Sequence, residues 1–143
     1  MGFISPLFWR LVPMLVVMGM IFYLSHQPGD SLYLPALPGL DKACHLAIYA
    51  LLALTILWYF ASGRQKPPGM VVLQTILFCL IFGLSDEFHQ SYIPYRSVSI
   101  FDLLADLAGA ILACSLWWRS SRLRRAMASW YLCLVRATSR NLS

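Results

Sequence analysis

Three short polar stretches, set among long apolar segments, hold the residues that could carry out chemistry. They lie at residues 41–49, 85–90 and 96–106. The side chains are carboxylates, histidines, a lysine and an arginine, which are groups that transfer protons or bind phosphate. Placing such groups in apolar segments costs free energy, so their clustering predicts a polar site rather than scattered surface charge.

The spacing within each stretch predicts which side chains share a helix face. Asp41, His45 and Tyr49 follow one another at intervals of four residues, so they form one stripe on a helix. Asp102 and Asp106 share a face in the same way. If the helix before residue 90 continues that far, Asp86, His89 and Gln90 also share a face.

Two roles are expected for these residues. We predict that catalysis involves His45, Asp86, Glu87, Gln90 and Asp106. We predict that substrate binding involves Asp41, Lys42, Tyr49, His89, Arg96 and Asp102. Within the second group the two cations can hold a phosphate or a carboxylate.

Some of these acids have a structural explanation as well. Asp41 and Asp102 stand at predicted helix N-termini, where a carboxylate caps free N–H groups. Asp86 and Glu87 stand at a C-terminal end, where the helix dipole opposes each charge by about 0.3–1 kcal/mol. Asp106 lies about one turn inside its helix, and an unpaired acid at the bilayer centre costs at least about 2.5–3.5 kcal/mol. The last three acids therefore need cationic neighbours or a ligand.

A metal ion is one alternative ligand. Its donors would be His45, His89, Asp86 and Glu87, a mixed nitrogen and oxygen set compatible with zinc or manganese. The chain has no HExxH motif and no CxxC pair among its four cysteines. The sequence therefore assigns no metal and leaves any cofactor unknown.

The remaining sequence indicates a membrane protein. It is 59% hydrophobic and 12% charged with a mean hydropathy of +0.68, whereas soluble domains carry about 25% charged residues. Four segments approach the ~20 apolar residues that a helix needs to span a bilayer; they are Leu7–Leu24, Ala43–Ala61, Met70–Ser85 and Ile100–Trp118. We therefore predict an all-α membrane protein, a four-transmembrane-helix bundle at residues 1–118.

The charges predict the topology. All six carboxylates and all three histidines lie on one side of the four spans, with nine of the eleven lysines and arginines on the other. The positive-inside rule places both termini in the cytoplasm and the acids outside. In residues 119–143 a basic amphipathic helix is predicted to lie on anionic lipid, or else a disordered orientation signal. The basic charge is then explained without nucleic acid.

The polar residues resemble those of the VanZ-like family of small bacterial membrane proteins. The resemblance rests on Asp41-Lys42-xx-His45-xxx-Tyr49, Ser85-Asp86-Glu87-xx-Gln90, and then Arg96, Asp102 and Gly109. It implies a cytoplasmic-membrane protein of the cell envelope, in a family whose name-giving member is associated with lowered susceptibility to a glycopeptide antibiotic. Tyr95 and Asp106 depart from the family pattern, which often has Gly and Asn there.

Three functions are left open. The first is action on a lipid-linked or phosphate-bearing substrate at the outer leaflet, with a membrane lipid or lipid-linked precursor as partner. The second is binding of a lipid headgroup or glycopeptide without turnover. The third is a proton-coupled transporter subunit, which would require a homo-oligomer because four spans make a poor pathway in one chain.

Overall fold

The computed structural model describes residues 6–29, 39–61 and 67–120, and a few residues of the tail. Within those residues the chain forms four α helices and no strand. Helix α1 is Pro6–Ser25, α2 is Leu40–Ala61, α3 is Pro68–Gln90 and α4 is Ile100–Arg119. All four are long and apolar enough to cross a membrane. The predicted all-α protein with four spans is confirmed.

Successive helices run in opposite directions, so that four helix ends meet at one end of the bundle. The ends of α1 and α3 are joined there by a hydrogen bond from Ser25 to Asp86. The beginnings of α2 and α4 are joined by an ion pair between Lys42 and Asp102. The helices also run longer than the apolar segments, because α3 continues to Gln90 and so includes its acidic stretch.

The core of the bundle is small and apolar. Tyr49, Leu52, Ala53 and Ile56 on α2 are fully buried, as is Ala110 on α4. Large side chains on the opposite faces are exposed, as expected where a helix meets lipid rather than water; they include Leu15, Val16, Ile81 and Leu116.

Helices α2 and α4 approach each other most closely at Gly109. A Cβ atom at this position would overlap the carbonyl oxygen of Leu46 and lie 3.0 Å from the backbone nitrogen of Ala50. Ala113, one turn further along α4, is also buried. Small residues spaced four apart allow such an approach, and this contact fixes the distance between α2 and α4 next to the polar residues.

The loop after α3 is held against the end of α1. Arg96 donates from Nε to the carbonyl of Gln27 at 3.1 Å and from Nη2 to that of Leu24 at 2.7 Å. The chain turns just before this arginine, because Tyr95 has a φ of +59°. Its carbonyl packs so closely on Gly29 that a Cβ atom there would overlap it.

The tail is described at Arg122, Arg124, Arg125, Met127 and Ser129, all in helical conformation. Arg124 donates to the backbone carbonyls of Trp117 and Trp118 at the end of α4. Most apolar residues of the predicted amphipathic helix lie outside the described residues. That helix, its lipid contact and the domain boundary after residue 118 therefore stay predictions.

Candidate functional site

The end of the bundle where the four helix ends meet carries most of the predicted site residues, and we call this set the polar layer. It comprises Ser25, Asp41, Lys42, His45, Asp86, Glu87, Gln90, Arg96, Asp102 and Asp106. Five are carboxylates, whereas two are permanent cations. Fully ionised, with the histidine neutral, the layer has a formal charge of −3. It is therefore better suited to a cation than to an unaccompanied anion.

One buried group of the layer connects α1 with α3. Ser25 donates from Oγ to Asp86 Oδ2 at 2.8 Å, and Gln90 Nε2 donates to the same oxygen at 3.0 Å. All three side chains are buried. Asp86 and Gln90 share a helix face, as their spacing predicts. Because Asp86 is bonded to two neutral donors, its charge is stabilised without an ion pair.

A second group connects α2 with α4. Lys42 Nζ lies 2.6 Å from Asp41 Oδ2 and 2.8 Å from Asp102 Oδ1. The lysine is therefore shared between two carboxylates at two helix N-termini, where the helix dipoles also favour negative charge. In this arrangement Lys42 links the beginnings of α2 and α4. Its contact with a substrate stays a prediction.

The third group gathers residues from three helices; its two carboxylates are buried and its histidine is partly buried. His45 Nδ1 on α2 lies 2.9 Å from Asp106 Oδ1 on α4. Glu87 on α3 accepts the backbone N–H of Ser99 at its Oε2, with a distance of 3.1 Å. Donor atoms of His45, Glu87 and Asp106 all lie within 4.8 Å of one another. These three residues form what we call the His45–Glu87–Asp106 cluster.

Each carboxylate of the cluster has a second oxygen that is buried without a hydrogen bond. Among the described residues, Glu87 Oε1 and Asp106 Oδ2 have no partner, although Glu87 is only 6% exposed and Asp106 only 2%. The Tyr49 hydroxyl is likewise buried without one. Buried carboxylate oxygens normally find a partner, since an unsatisfied one costs about 1–3 kcal/mol or more.

The second predicted histidine lies apart from this cluster. His89 Nε2 is 3.2 Å from His26 Nδ1, and the His89 ring stacks on Phe22 with 4.6 Å between centroids. The alternative metal set noted in the sequence, which joins His89 and Asp86 to His45 and Glu87, is therefore divided in the structure. Asp106 takes the place of those two residues beside His45 and Glu87.

A cavity of about 470 Å³ opens beside the polar layer. Its apolar wall is formed by Ile21, Leu24, Cys44, Ala47, Ile48 and Leu51. Its polar wall is formed by Ser25, Asp41, His45, Tyr49, Asp86, Gln90 and Arg96. Ala47 and Leu51 are exposed on α2, as is Leu24 on α1, so the cavity opens sideways between these two helices.

Sequence reasoning missed two participants. Ser25 lies just outside the predicted span Leu7–Leu24, but it is the last residue of α1 and bonds to Asp86. The second participant is the backbone N–H of Ser99, which donates to Glu87. A serine directly after an apolar run was the available signal for the first, whereas no side-chain pattern could have revealed the second.

The fold and the site define a multi-pass α-helical membrane protein with a buried polar cluster at one end of its bundle. The chain matches the VanZ/LLP1 family over residues 8–124, which is most of its length. It therefore belongs to the VanZ/LLP1 family, and the resemblance noted in its sequence is confirmed.

A relative extends the similarity to a eukaryote. An uncharacterized protein of the fission yeast Schizosaccharomyces pombe is 40% identical over 84 residues, which is 57% of this chain and 49% of that protein. The chain thus spans about half the length of this relative. Comparison with solved structures found none that is similar to this chain. A bacterial source, which the resemblance implied, therefore stays a prediction.

Proposed function

We propose that the chain takes a lipid-linked, phosphate-bearing molecule into the cavity between α1 and α2 and acts on its headgroup at the polar layer. The observation that carries this proposal is the two-part wall of the cavity. Apolar side chains such as Ile48 and Leu51 line one part, and His45, Gln90 and Arg96 line the other. A molecule with an apolar tail and a polar head matches both parts.

The size and opening of the cavity support an amphiphilic ligand. Its volume of about 470 Å³ lies within the range of ~300–1,000 Å³ that is common for small-molecule sites. The exposed Ala47 and Leu51 border it on the side that faces lipid. A ligand can therefore enter without leaving the bilayer.

His45 connects the cavity with the buried carboxylates. It lines the cavity, and its Nδ1 is bonded to Asp106 behind it. A carboxylate in that position fixes the ring orientation and the tautomer of a histidine. His45 is therefore the residue through which the cluster reaches a headgroup, while Ser25, Asp86 and Gln90 shape the adjacent wall.

The test of ligand binding compares two substitutions of equal size. Ala47→Trp fills the cavity opening, whereas Ala108→Trp adds the same ring at an exposed position of α4 that does not line the cavity. We expect native mass spectrometry from membranes to detect a bound phosphate-bearing lipid in the wild type and in Ala108→Trp, with loss in Ala47→Trp. Equal lipid retention in both variants would contradict the proposal.

Binding without turnover is a second candidate, and one observation favours it. Ser25, Asp86 and Gln90 bond to one another, which suits a rigid wall better than proton transfer. Incubation of the purified protein with the lipid it retains separates the two functions. Conversion of that lipid by the wild type and not by His45→Gln supports action on the headgroup, and recovery of unchanged lipid from both supports binding alone.

The proposal places the polar layer at the outer face of a cytoplasmic membrane, with both termini inside. Ser97 is exposed in the loop after α3 and suits a topology test. In a cysteine-free background, Ser97→Cys should react with a membrane-impermeant maleimide on intact cells. Labelling only after the membrane is permeabilised would show that Ser97 and the polar layer face the cytoplasm, the opposite of the proposed orientation. The transport hypothesis and the oligomer it needs stay predictions.

A further inference from the structure

We infer that His45, Glu87 and Asp106 together bind one divalent cation of the Mn²⁺ or Zn²⁺ type. The inference rests on the geometry of the cluster and does not require the proposed lipid substrate. One imidazole and two carboxylates form a mixed nitrogen and oxygen donor set that suits these ions. Each residue comes from a different helix, so an ion at this place would link α2, α3 and α4.

The distances within the cluster fit a shared ion. Bonds of about 2.0–2.2 Å to nitrogen and oxygen place any two ligands of one ion no more than ~4.0–4.4 Å apart. The donor atoms of the cluster lie within 4.8 Å of one another. A shared ion therefore requires the side chains to rotate so that their donor atoms draw closer together.

The unpartnered oxygens supply the second argument. Asp106 Oδ2 and Glu87 Oε1 are buried without a hydrogen bond. A Cβ atom at Gly83 would lie 3.2 Å from Asp106 Oδ2, so this oxygen faces the side of α3 that carries Gly83 and, one turn later, Glu87. The same Cβ atom would lie 3.2 Å from Leu103 Cδ1, so a glycine at that position lets α3 and α4 pack closely around this oxygen. A cation between the two carboxylates satisfies both orphaned atoms.

Charge supplies the third argument. Buried carboxylates need compensation, because an isolated charge in a low-dielectric interior is very unfavourable. Lys42 is already shared between Asp41 and Asp102, and Arg96 donates to backbone carbonyls at the end of α1. Neither cation is bonded to Glu87 or Asp106. A divalent ion in the cluster would neutralise the negative charges of Glu87 and Asp106. It would also give a phosphate headgroup a positive partner at the cavity wall.

The experiment measures metal binding directly on the full-length protein in detergent, after treatment with EDTA. Mn²⁺ and Zn²⁺ are titrated by calorimetry, and Co²⁺ is added as a spectroscopic probe of histidine and carboxylate ligation. The test variants are His45→Gln, Glu87→Gln and Asp106→Asn. The matched control is Asp102→Asn, which removes a carboxylate from the same layer and the same face of α4 but lies outside the cluster.

We expect one ion per chain in the wild type and in Asp102→Asn. Each test variant should weaken binding by at least about tenfold, because loss of an outer partner alone weakens metal sites roughly 10–100-fold. Circular dichroism of the metal-free proteins identifies any test variant that fails to fold. The remaining test variants are then compared with Asp102→Asn.

Two results would overturn the inference. One is no saturable binding in the wild type, which would mean that protons or water satisfy the carboxylates. The other is equal weakening by Asp102→Asn, which would mean that the acidic layer attracts ions without a defined site. Since no lipid is added, failure here leaves the cavity proposal standing, and loss of lipid retention leaves this titration unaffected.

Discussion

Replacing Gly109 by alanine should separate α2 from α4 and loosen the site between them. The added Cβ would overlap the Leu46 carbonyl and lie 3.0 Å from the Ala50 nitrogen. Relief of this overlap requires the helices to move apart by about 1 Å, since carbon and oxygen atoms prefer separations of roughly 3.3 Å or more. Overpacking of this kind costs about 1–3 kcal/mol.

The same movement would act on the cluster one turn away. His45 precedes Leu46 directly, and its Nδ1 lies 2.9 Å from Asp106 Oδ1. An increase of about 1 Å would take this pair beyond the ~3.2 Å limit of a good hydrogen bond. Gly109→Ala should therefore reduce both the stability of the bundle and metal binding by the cluster.

A matched control is available on α1. Gly19 is exposed and a Cβ atom there would meet nothing within 4 Å, so Gly19→Ala should leave stability unchanged or raise it by roughly 0.5–1 kcal/mol through helix propensity. Both variants are unfolded with dodecyl sulfate in mixed micelles, followed by circular dichroism. If Gly109→Ala were as stable as Gly19→Ala, the close approach of α2 and α4 would be refuted.

Three further predictions use the same unfolding assay. Tyr95→Gly should stabilise the protein by up to about 1 kcal/mol, because φ is +59° at Tyr95 and left-handed conformations strain residues with a Cβ atom; a loss of stability would show that contacts of the ring outweigh the strain. Arg96→Lys should destabilise the protein by roughly 1–2 kcal/mol, since an ammonium lacks the planar, forked donor group with which the guanidinium reaches two carbonyls at the end of α1. An unchanged unfolding midpoint would show that these two hydrogen bonds do not stabilise the bundle. Ser25→Ala should cost about 1–3 kcal/mol by taking a donor from buried Asp86, and a neutral result would mean that Gln90 alone satisfies the carboxylate.

Much of the architecture could be predicted because membrane spans follow directly from apolar length. The four predicted segments all lie within the observed helices, and the polar stretches do meet at one end of the bundle. Spacing also indicated correctly that Asp102 and Asp106 share a face, which contacts Lys42 and His45 of α2. Period and hydropathy are properties of one helix, and one sequence is enough to measure them.

The pairing of side chains between helices could not be predicted, because it depends on how each helix is rotated about its own axis. Asp106 and His89 illustrate this point. The sequence grouped His89 with the other donors, but on α3 its ring points toward Phe22 of α1 and toward His26, which follows the end of α1. Asp106 lies on the face of α4 that Gly109 brings close to α2, and so it contacts His45.

The sideways opening of the cavity has a consequence for how occupancy should be measured. Leu24, Ala47 and Leu51 form its exposed border, so a ligand arriving through it diffuses in two dimensions within one leaflet. The relevant concentration is then a mole fraction among lipids, and detergent molecules dilute the ligand and compete for the opening. Affinities measured in nanodiscs of fixed lipid composition should therefore be independent of protein dilution, whereas those in micelles should fall as detergent is added.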